Sequence, residues 1–215
     1  MQLDVDVRGW RCLVVGAGPV GSRRALRLAD AGADVHVVAP EATDAIRLAA
    51  STGRLRWSPR PADPSDAEGC RLLVLASGRP EVDSRVAEAA APEALVNRAA
   101  DAGAGDLRFP AVAVDDGVVV TVATPAGVPA LSVWLADRLA PAVDSATGLD
   151  ADGRRLVAGL LAELRAELSV AGAAPGVDWR SGLQRSMLDP VLSDLIRTGR
   201  RAEAKERLQA CLSSS

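Results

Sequence analysis

Aromatic residues are almost missing from this chain: of 215 residues only 2% are aromatic, with one Phe, four Trp and no Tyr. A core without rings has to be built from Ala, Val and Leu, and few rings are left on which nucleic-acid bases could stack. Lysine is nearly absent too, Lys205 standing alone, so the 25 basic residues are otherwise arginine against 28 acidic ones, for a formal charge of -3. That balance argues against general polyanion binding and against a nucleic-acid partner, while a local arginine cluster can still grip carboxylates or phosphates bidentately. The three cysteines, Cys12, Cys70 and Cys211, have no paired spacing. Cys12 and Cys70 border apolar runs and read as buried free thiols in a reducing compartment. The one histidine, His36, alternates with Val35 and Val37 and reads as a sheet-core side chain, and no His/Cys/Asp cluster has ligand spacing, so no metal is expected. No basic segment followed by an apolar stretch opens the chain, and no apolar run reaches the length of a membrane span. The expectation is a cytoplasmic protein with no membrane partner.

What is present is an alternation of strand and helix patterns. RCLVV at 11–15 is a short β-rich run that stops at GAGPVG, and SRRALRLADA continues as a helix with Ala25, Leu28 and Ala29 on one face and Arg23, Arg24 and Arg27 outward. A second strand is expected at 34–38, closed by Pro40, then a helix at 41–50, a strand at 55–57, an apolar strand at 71–76, a helix at 81–90 and a short strand at Leu95 and Val96 that delivers Asn97 to a loop. This order predicts an α/β fold with a Rossmann-like doubly wound parallel sheet. The pattern then changes: FPAVAV and VVVTVAT flank Asp115-Asp116-Gly117, a hairpin signal. Helices follow at 129–139 and 152–170, the latter with Leu156, Leu160, Leu164 and Leu168 on one stripe, and after the GAAPGVD hinge at roughly 179–197 and 200–212. The expected division is residues 1–112 for cofactor binding, 113–145 for dimerisation and 146–215 as a small helical, substrate-binding domain.

The glycine loop carries the chemistry. Gly16, Gly18 and Gly21 follow a strand and open a helix, the context a dinucleotide fingerprint requires. Gly16 serves the tight turn, Gly18 lets the backbone approach a pyrophosphate, and Gly21 lets the helix pack on the sheet, while N–H groups at the helix start face the phosphates. Gly16, Gly18, Pro19, Val20 and Gly21 are therefore candidate cofactor contacts; Arg23 and Arg24 either add charge there or are solvated. The acidic residue that grips an adenosine ribose is not at Ala39, but Glu41 lies two positions beyond. With no arginine at the strand end, the preferred cofactor is NAD over NADP.

GAGPVGSRRALRLADAGADVHVVAPE, NRAADAGAGDLRFPAV and TPAGVPALSVWLADRLA together resemble the precorrin-2 dehydrogenase family, the NAD-dependent siroheme-synthase domain, along essentially the whole chain. The resemblance implies oxidation of precorrin-2 to sirohydrochlorin with hydride transfer to the nicotinamide. It also implies a homodimer through the middle segment and a tetrapyrrole held between cofactor and helical domains. The family's catalytic aspartate falls at Ala100, and the nearest carboxylate is Asp101. Either Asp101 is the base or the base is lost, leaving a noncatalytic or divergent dinucleotide-binding homologue. Ser77 corresponds to a cofactor-side position. Asn97, Arg98, Arg108, Thr124 and Arg138 are candidate substrate contacts, with Arg79 a further arginine at the rim, because a tetrapyrrole of this class carries eight carboxylates. Iron insertion, known for some members, finds no positive support in these residues.

Overall fold

The computed structural model describes residues 3–101, 103–115, 118–124, 129–139, 141–143, 148–170, 186 and 189–213. The chain divides into two compact units, Met1–Phe109 and Pro110–Ser215.

In the first unit, strands β1 (Arg11–Ala17), β2 (Asp34–Ala42), β3 (Arg56–Ser58), β4 (Leu72–Leu75) and β5 (Leu95–Arg98) form one sheet in the order β3-β2-β1-β4-β5. All four pairings are parallel. Helices α1 (Pro19–Asp30), α2 (Asp44–Ser51) and α3 (Pro80–Glu88) are the crossovers, with a short 3-10 turn at Pro64–Ala67. Alternate side chains along the central strands serve two separate cores, as the period of a strand demands. Cys12, Val14, Val35, Val37, Leu72 and Val74 pack with Ala25 and Leu28 of α1 and Ile46 and Ala49 of α2. Leu13, Val15, Val38, Leu73 and Leu75 pack with Val86 of α3 on the other face. A sheet covered on both sides explains why β4 is apolar at every position. This is the doubly wound, Rossmann-like arrangement expected.

Several boundaries differ from the sequence pattern. The second strand does not stop at Pro40: β2 runs to Ala42 and takes Glu41 with it, so the helix expected from 41 begins only at Asp44. Proline is tolerated there because β3 has already ended opposite Val38, and β1 shifts register between Val15 and Ala17 before pairing again at Ala42. Helix α1 starts at Pro19, inside the glycine loop, since a proline at the first helical position sacrifices no hydrogen bond. Arg24 is half-buried rather than outward.

In the second unit, β6 (Ala111–Asp115) and β7 (Val118–Val122) pair antiparallel with Asp115 opposite Val118, as a hairpin with a two-residue turn requires; Asp116 and Gly117 themselves lie outside the described residues. Helix α4 (Pro129–Leu139) packs on this hairpin. Helices α5 (Ala151–Val170), α6 (Pro190–Arg197) and α7 (Arg201–Ser213) enclose a core of Leu160, Leu164, Leu192, Leu195, Ile196 and Leu208. The α6 start is capped by Asp189, which accepts from the Val191 N–H at 2.9 Å. The GAAPGVD hinge and most of the expected helical stretch before Pro190 lie outside the described residues. Among the described residues no helix is long and apolar enough to cross a membrane.

Candidate dinucleotide site

The turn from β1 into α1 is fixed by what surrounds its glycines. Gly16 has φ +95°, and a Cβ there would stand 2.3 Å from the Ala76 carbonyl oxygen at the end of β4. A Cβ on Gly21 would lie 2.1 Å from the carbonyl oxygen of Gly16. Both positions exclude any side chain, because the backbone already fills the space; Gly21 accommodates the turn itself more than the sheet. Gly18 is different. Its φ of -71° is ordinary, and nothing lies within 4 Å of where its Cβ would be. The open side of this glycine is therefore where a ligand can approach the backbone.

That approach leads to the start of α1. Gly18 is the N-cap and supplies no side chain, Pro19 has no N–H to give, and the first turn holds no acidic residue. The first-turn N–H groups of any helix lack intrahelical acceptors and carry the positive end of its dipole, so Val20 and Gly21 present donors suited to a phosphate. Ser22, buried in the next position, donates to the Ala17 carbonyl at 2.9 Å and shares a 2.9 Å hydroxyl bond with Thr43, which ties α1 to the turn after β2. The residues present fit a dinucleotide pyrophosphate. Glu41 is exposed just before Thr43, at the end of β2, where a ribose hydroxyl would be sought.

Beyond β4, Ser77 does not offer a free hydroxyl: its Oγ donates to the Arg79 carbonyl at 3.1 Å and accepts from the Arg79 N–H at 3.0 Å. Its backbone N–H donates to Asp83 at 3.3 Å. Asp83, on α3, is 6% exposed, and burial pushes its carboxyl above the usual aspartate range, against the hydrogen bonds from Ser77 and the nearby charge of Arg98. Arg98 itself donates to Ser84 Oγ at 3.2 Å.

The loop after β5 folds back along that strand. Asp106 donates its N–H to the Val96 carbonyl at 2.8 Å, and its Oδ2 accepts the Val96 N–H at 2.9 Å. Gly105 comes so close that a Cβ would meet the Val96 oxygen at 2.9 Å. Asn97 is 2% exposed and fully engaged: its Nδ2 donates to the Leu107 carbonyl at 2.8 Å, and its Oδ1 accepts from Arg24 at 2.6 Å. Arg24 also lies over the Phe109 ring, 5.2 Å from its centroid. Asp101 sits exposed at the bend, where its Oδ1 accepts the Gly103 N–H at 2.9 Å; Ala100 beside it is exposed as well. Arg108 is exposed in the same loop.

The sequence-selected residues thus fall into groups. Gly16 to Gly21, Ser77, Asn97, Arg98 and Asp101 all lie at or just beyond the carboxyl ends of parallel strands, the edge at which open α/β sheets take ligands. Thr124 and Arg138 belong to the second unit: Thr124 shares a 3.0 Å hydroxyl bond with Ser132, and Arg138 lies over Trp134 at 5.1 Å. Residues 125–128 between them lie outside the described set. Sequence reasoning set Arg24 outward, as a phosphate-side charge or a solvated residue, and missed Asp83 and Asp106; their partners are remote in sequence or are backbone groups. His36 is half-buried, with Nε2 2.8 Å from Ser58 Oγ, and burial lowers its pKa. Burial also pushes the Cys12 thiol up to about 12 and raises that of Cys70. Among the described residues no group of three His, Cys, Asp or Glu is placed to hold a metal.

Comparison with known proteins agrees with this geometry. A siroheme synthase of Pseudomonas entomophila is 32% identical over 211 residues, covering 98% of this chain and 44% of that protein. A precorrin-2 dehydrogenase of Bacillus subtilis is 25% identical over 144 residues, 67% of this chain and 89% of its own. The chain spans less than half the length of the siroheme synthases it matches. The solved structure of SirC, a precorrin-2 dehydrogenase, superposes with a TM-score of 0.66 over 98% of both chains at 22% identity, a likeness of fold. The family model described as "Putative NAD(P)-binding" matches residues 3–111, the segment that contains the whole parallel sheet and the glycine turn. The chain belongs to that NAD(P)-binding family and is similar in sequence to siroheme synthases and precorrin-2 dehydrogenases.

Proposed function

We propose that this protein binds NAD at the glycine turn and oxidises precorrin-2 to sirohydrochlorin. The observation that carries the reading is the open side of Gly18 at an uncapped, acid-free helix start; the names of the relatives supply the substrate. Gly18, Val20 and Gly21 would hold the pyrophosphate through backbone N–H groups, with Gly16 and Pro19 shaping the turn. Glu41 would accept from the ribose hydroxyls, which favours NAD over NADP, and the Ser77 turn would border the nicotinamide end. Bound NAD supplies the hydride acceptor. Asp101 would take the accompanying proton at its carboxylate, which has a second oxygen besides the Oδ1 that accepts the Gly103 N–H. Arg98 and Arg108 would orient the substrate carboxylates, with Thr124 and Arg138 further contacts on the resemblance alone; Asn97 would serve the site by holding its loop through Arg24 and the Leu107 carbonyl.

A homodimer belongs to the same proposal. Val114 and Val119 on the hairpin and Leu131, Val133, Trp134 and Leu139 on α4 are exposed apolar side chains of one substructure, and a second copy of the chain would cover them. Mass measurement in solution should give two chains of 22.2 kDa; a single chain at working concentration removes this part.

One observation favours a second reading, a dinucleotide-binding homologue without the chemistry. Ala100 stands where the resemblance places the catalytic aspartate, and the Asp101 carboxylate closes its own turn. The experiment is anaerobic turnover of precorrin-2 with NAD in wild type, Asp101→Asn and Ala100→Asp. Loss on Asp101→Asn with NAD binding intact supports the dehydrogenase. A silent wild type that gains turnover on Ala100→Asp supports the homologue.

A further inference from the structure

Arg24 differs from Arg54, Arg56 and Arg60 of the same unit, which are paired with carboxylates near the surface. Its guanidinium is half-buried, and its Nε is buried with no hydrogen-bond partner. No carboxylate pairs with it among the described residues; its one hydrogen bond is to the neutral amide oxygen of Asn97. Burial lowers its pKa, and the like charges of Arg23 and Arg27 add to that. A desolvated cation without a counter-charge is costly, so something must compensate for its placement.

Two features of the fold define what that is. Arg24 stands five residues beyond the first residue of α1, about 8 Å along the axis from the helix start. On the other side it holds the loop after β5: Arg24 donates to Asn97, Asn97 donates to the Leu107 carbonyl, and the guanidinium lies over Phe109. The helix that presents the phosphate-binding N–H groups is thus joined by one side chain to the segment that carries Asp101.

We propose that Arg24 is a positioning residue that couples occupancy of the glycine turn to the set of the 97–109 loop. This rests on the reading of the glycine turn as a dinucleotide site. The pyrophosphate charge stabilises the guanidinium in its buried position, and the guanidinium in that position holds Asn97 and with it the bend at Asp101. A ligand shifts an equilibrium only by its differential affinity for the two states, and here the differential is the attraction between the phosphates and a seated Arg24.

The test is amide hydrogen exchange by NMR in the full chain at Gly103, Ala104 and Asp106, whose N–H groups bond to Asp101 and Val96, with and without NAD. In wild type, saturating NAD should slow exchange at these amides by roughly tenfold. In Arg24→Met, NAD affinity should fall by about the same tenfold and no further, because coupling is reciprocal and the remaining phosphate contacts are backbone groups, while the NAD-dependent slowing disappears. Arg27→Met, which removes the same charge from an exposed position of the same helix, should keep the slowing. Asn97→Leu should lose it, and the double change Arg24→Met/Asn97→Leu should lose no more than either alone. Slowing that persists in Arg24→Met overturns the proposal. So does loss of NAD binding in that variant, which would make Arg24 a phosphate ligand. Failure of wild type to bind NAD or NADP removes the cofactor reading and the coupling together, whereas binding with no change at the three amides removes the coupling alone.

Discussion

The glycine turn at 16–21 and the loop at 97–109 both follow parallel strands of one sheet, yet they are held in opposite ways. The turn is fixed by exclusion: at Gly16 and Gly21 backbone carbonyls occupy the volume that any side chain would need. The loop is fixed by attachment: Asn97, Asp106 and Arg24 tie it down through side-chain bonds, and several residue types could have done the same work by other bonds. Exclusion leaves a mark in the sequence because only glycine satisfies it. Attachment leaves almost none.

The largest effect should come from the exclusion side. Gly16→Ala places a methyl against the Ala76 carbonyl in a backbone conformation that L-residues avoid, and should lower stability by at least ~3 kcal/mol or prevent folding; a denaturant midpoint near that of wild type would break the contrast. Asn97→Ala comes next. It strands the Arg24 guanidinium and the Leu107 carbonyl without their partner, and should cost about 2–3 kcal/mol in the same titration, since bonds to charged groups are the expensive ones to remove. Gly18→Val separates the two kinds of glycine. With open space around it, it should cost about 1 kcal/mol or less through a poorer helix start, while calorimetric NAD affinity falls by roughly tenfold or more because the side chain fills the phosphate approach. A large stability loss without a binding defect would put Gly18 with Gly16.

The smallest effect concerns Asp83. Its carboxyl is held above the usual range by burial, so the folded chain binds that proton more tightly than the unfolded one. Stability contributed by the protonated form is present below the unfolded aspartate value and is lost as pH rises through the raised folded value. Asp83→Asn keeps an oxygen for the Ser77 N–H and removes that slope. Thermal unfolding should show a small gain at pH 7 and none below the ordinary carboxylate range; a loss at pH 7 would mean that the charge itself is needed.

The same division explains what could be read beforehand. The alternation of strand and helix, the change from parallel to antiparallel pairing and the need for glycine at 16 and 21 follow from periodicity and steric exclusion, which act within a few residues. Pro40 misled because its missing N–H matters only where a neighbour needs it, and neither β1 nor β3 pairs there. Arg24 misled because it stands between two outward arginines while its acceptor lies 73 residues away. Asp83 looks like any acidic residue in the first turns of a helix, and its burial comes from packing around Ser77 that no local pattern encodes. In the candidate site the geometry of the glycine turn was therefore legible from local pattern, and that of the loop around Asp101 depended on long-range bonds.

The doubled bond between Asp106 and Val96 has a further consequence. β5 is the last strand of the sheet, and its outward N–H and C=O groups would ordinarily invite the strand of another molecule to add on. Asp106 fills both groups of Val96, one through its backbone and one through its carboxylate, and Gly105 lies tight against the next position. At the far end β3 is only three residues long, too short a template to recruit a neighbour. A parallel sheet rich in Val and Leu, with the slow assembly that non-local pairing imposes, is thereby guarded at both borders against joining its copies into aggregates.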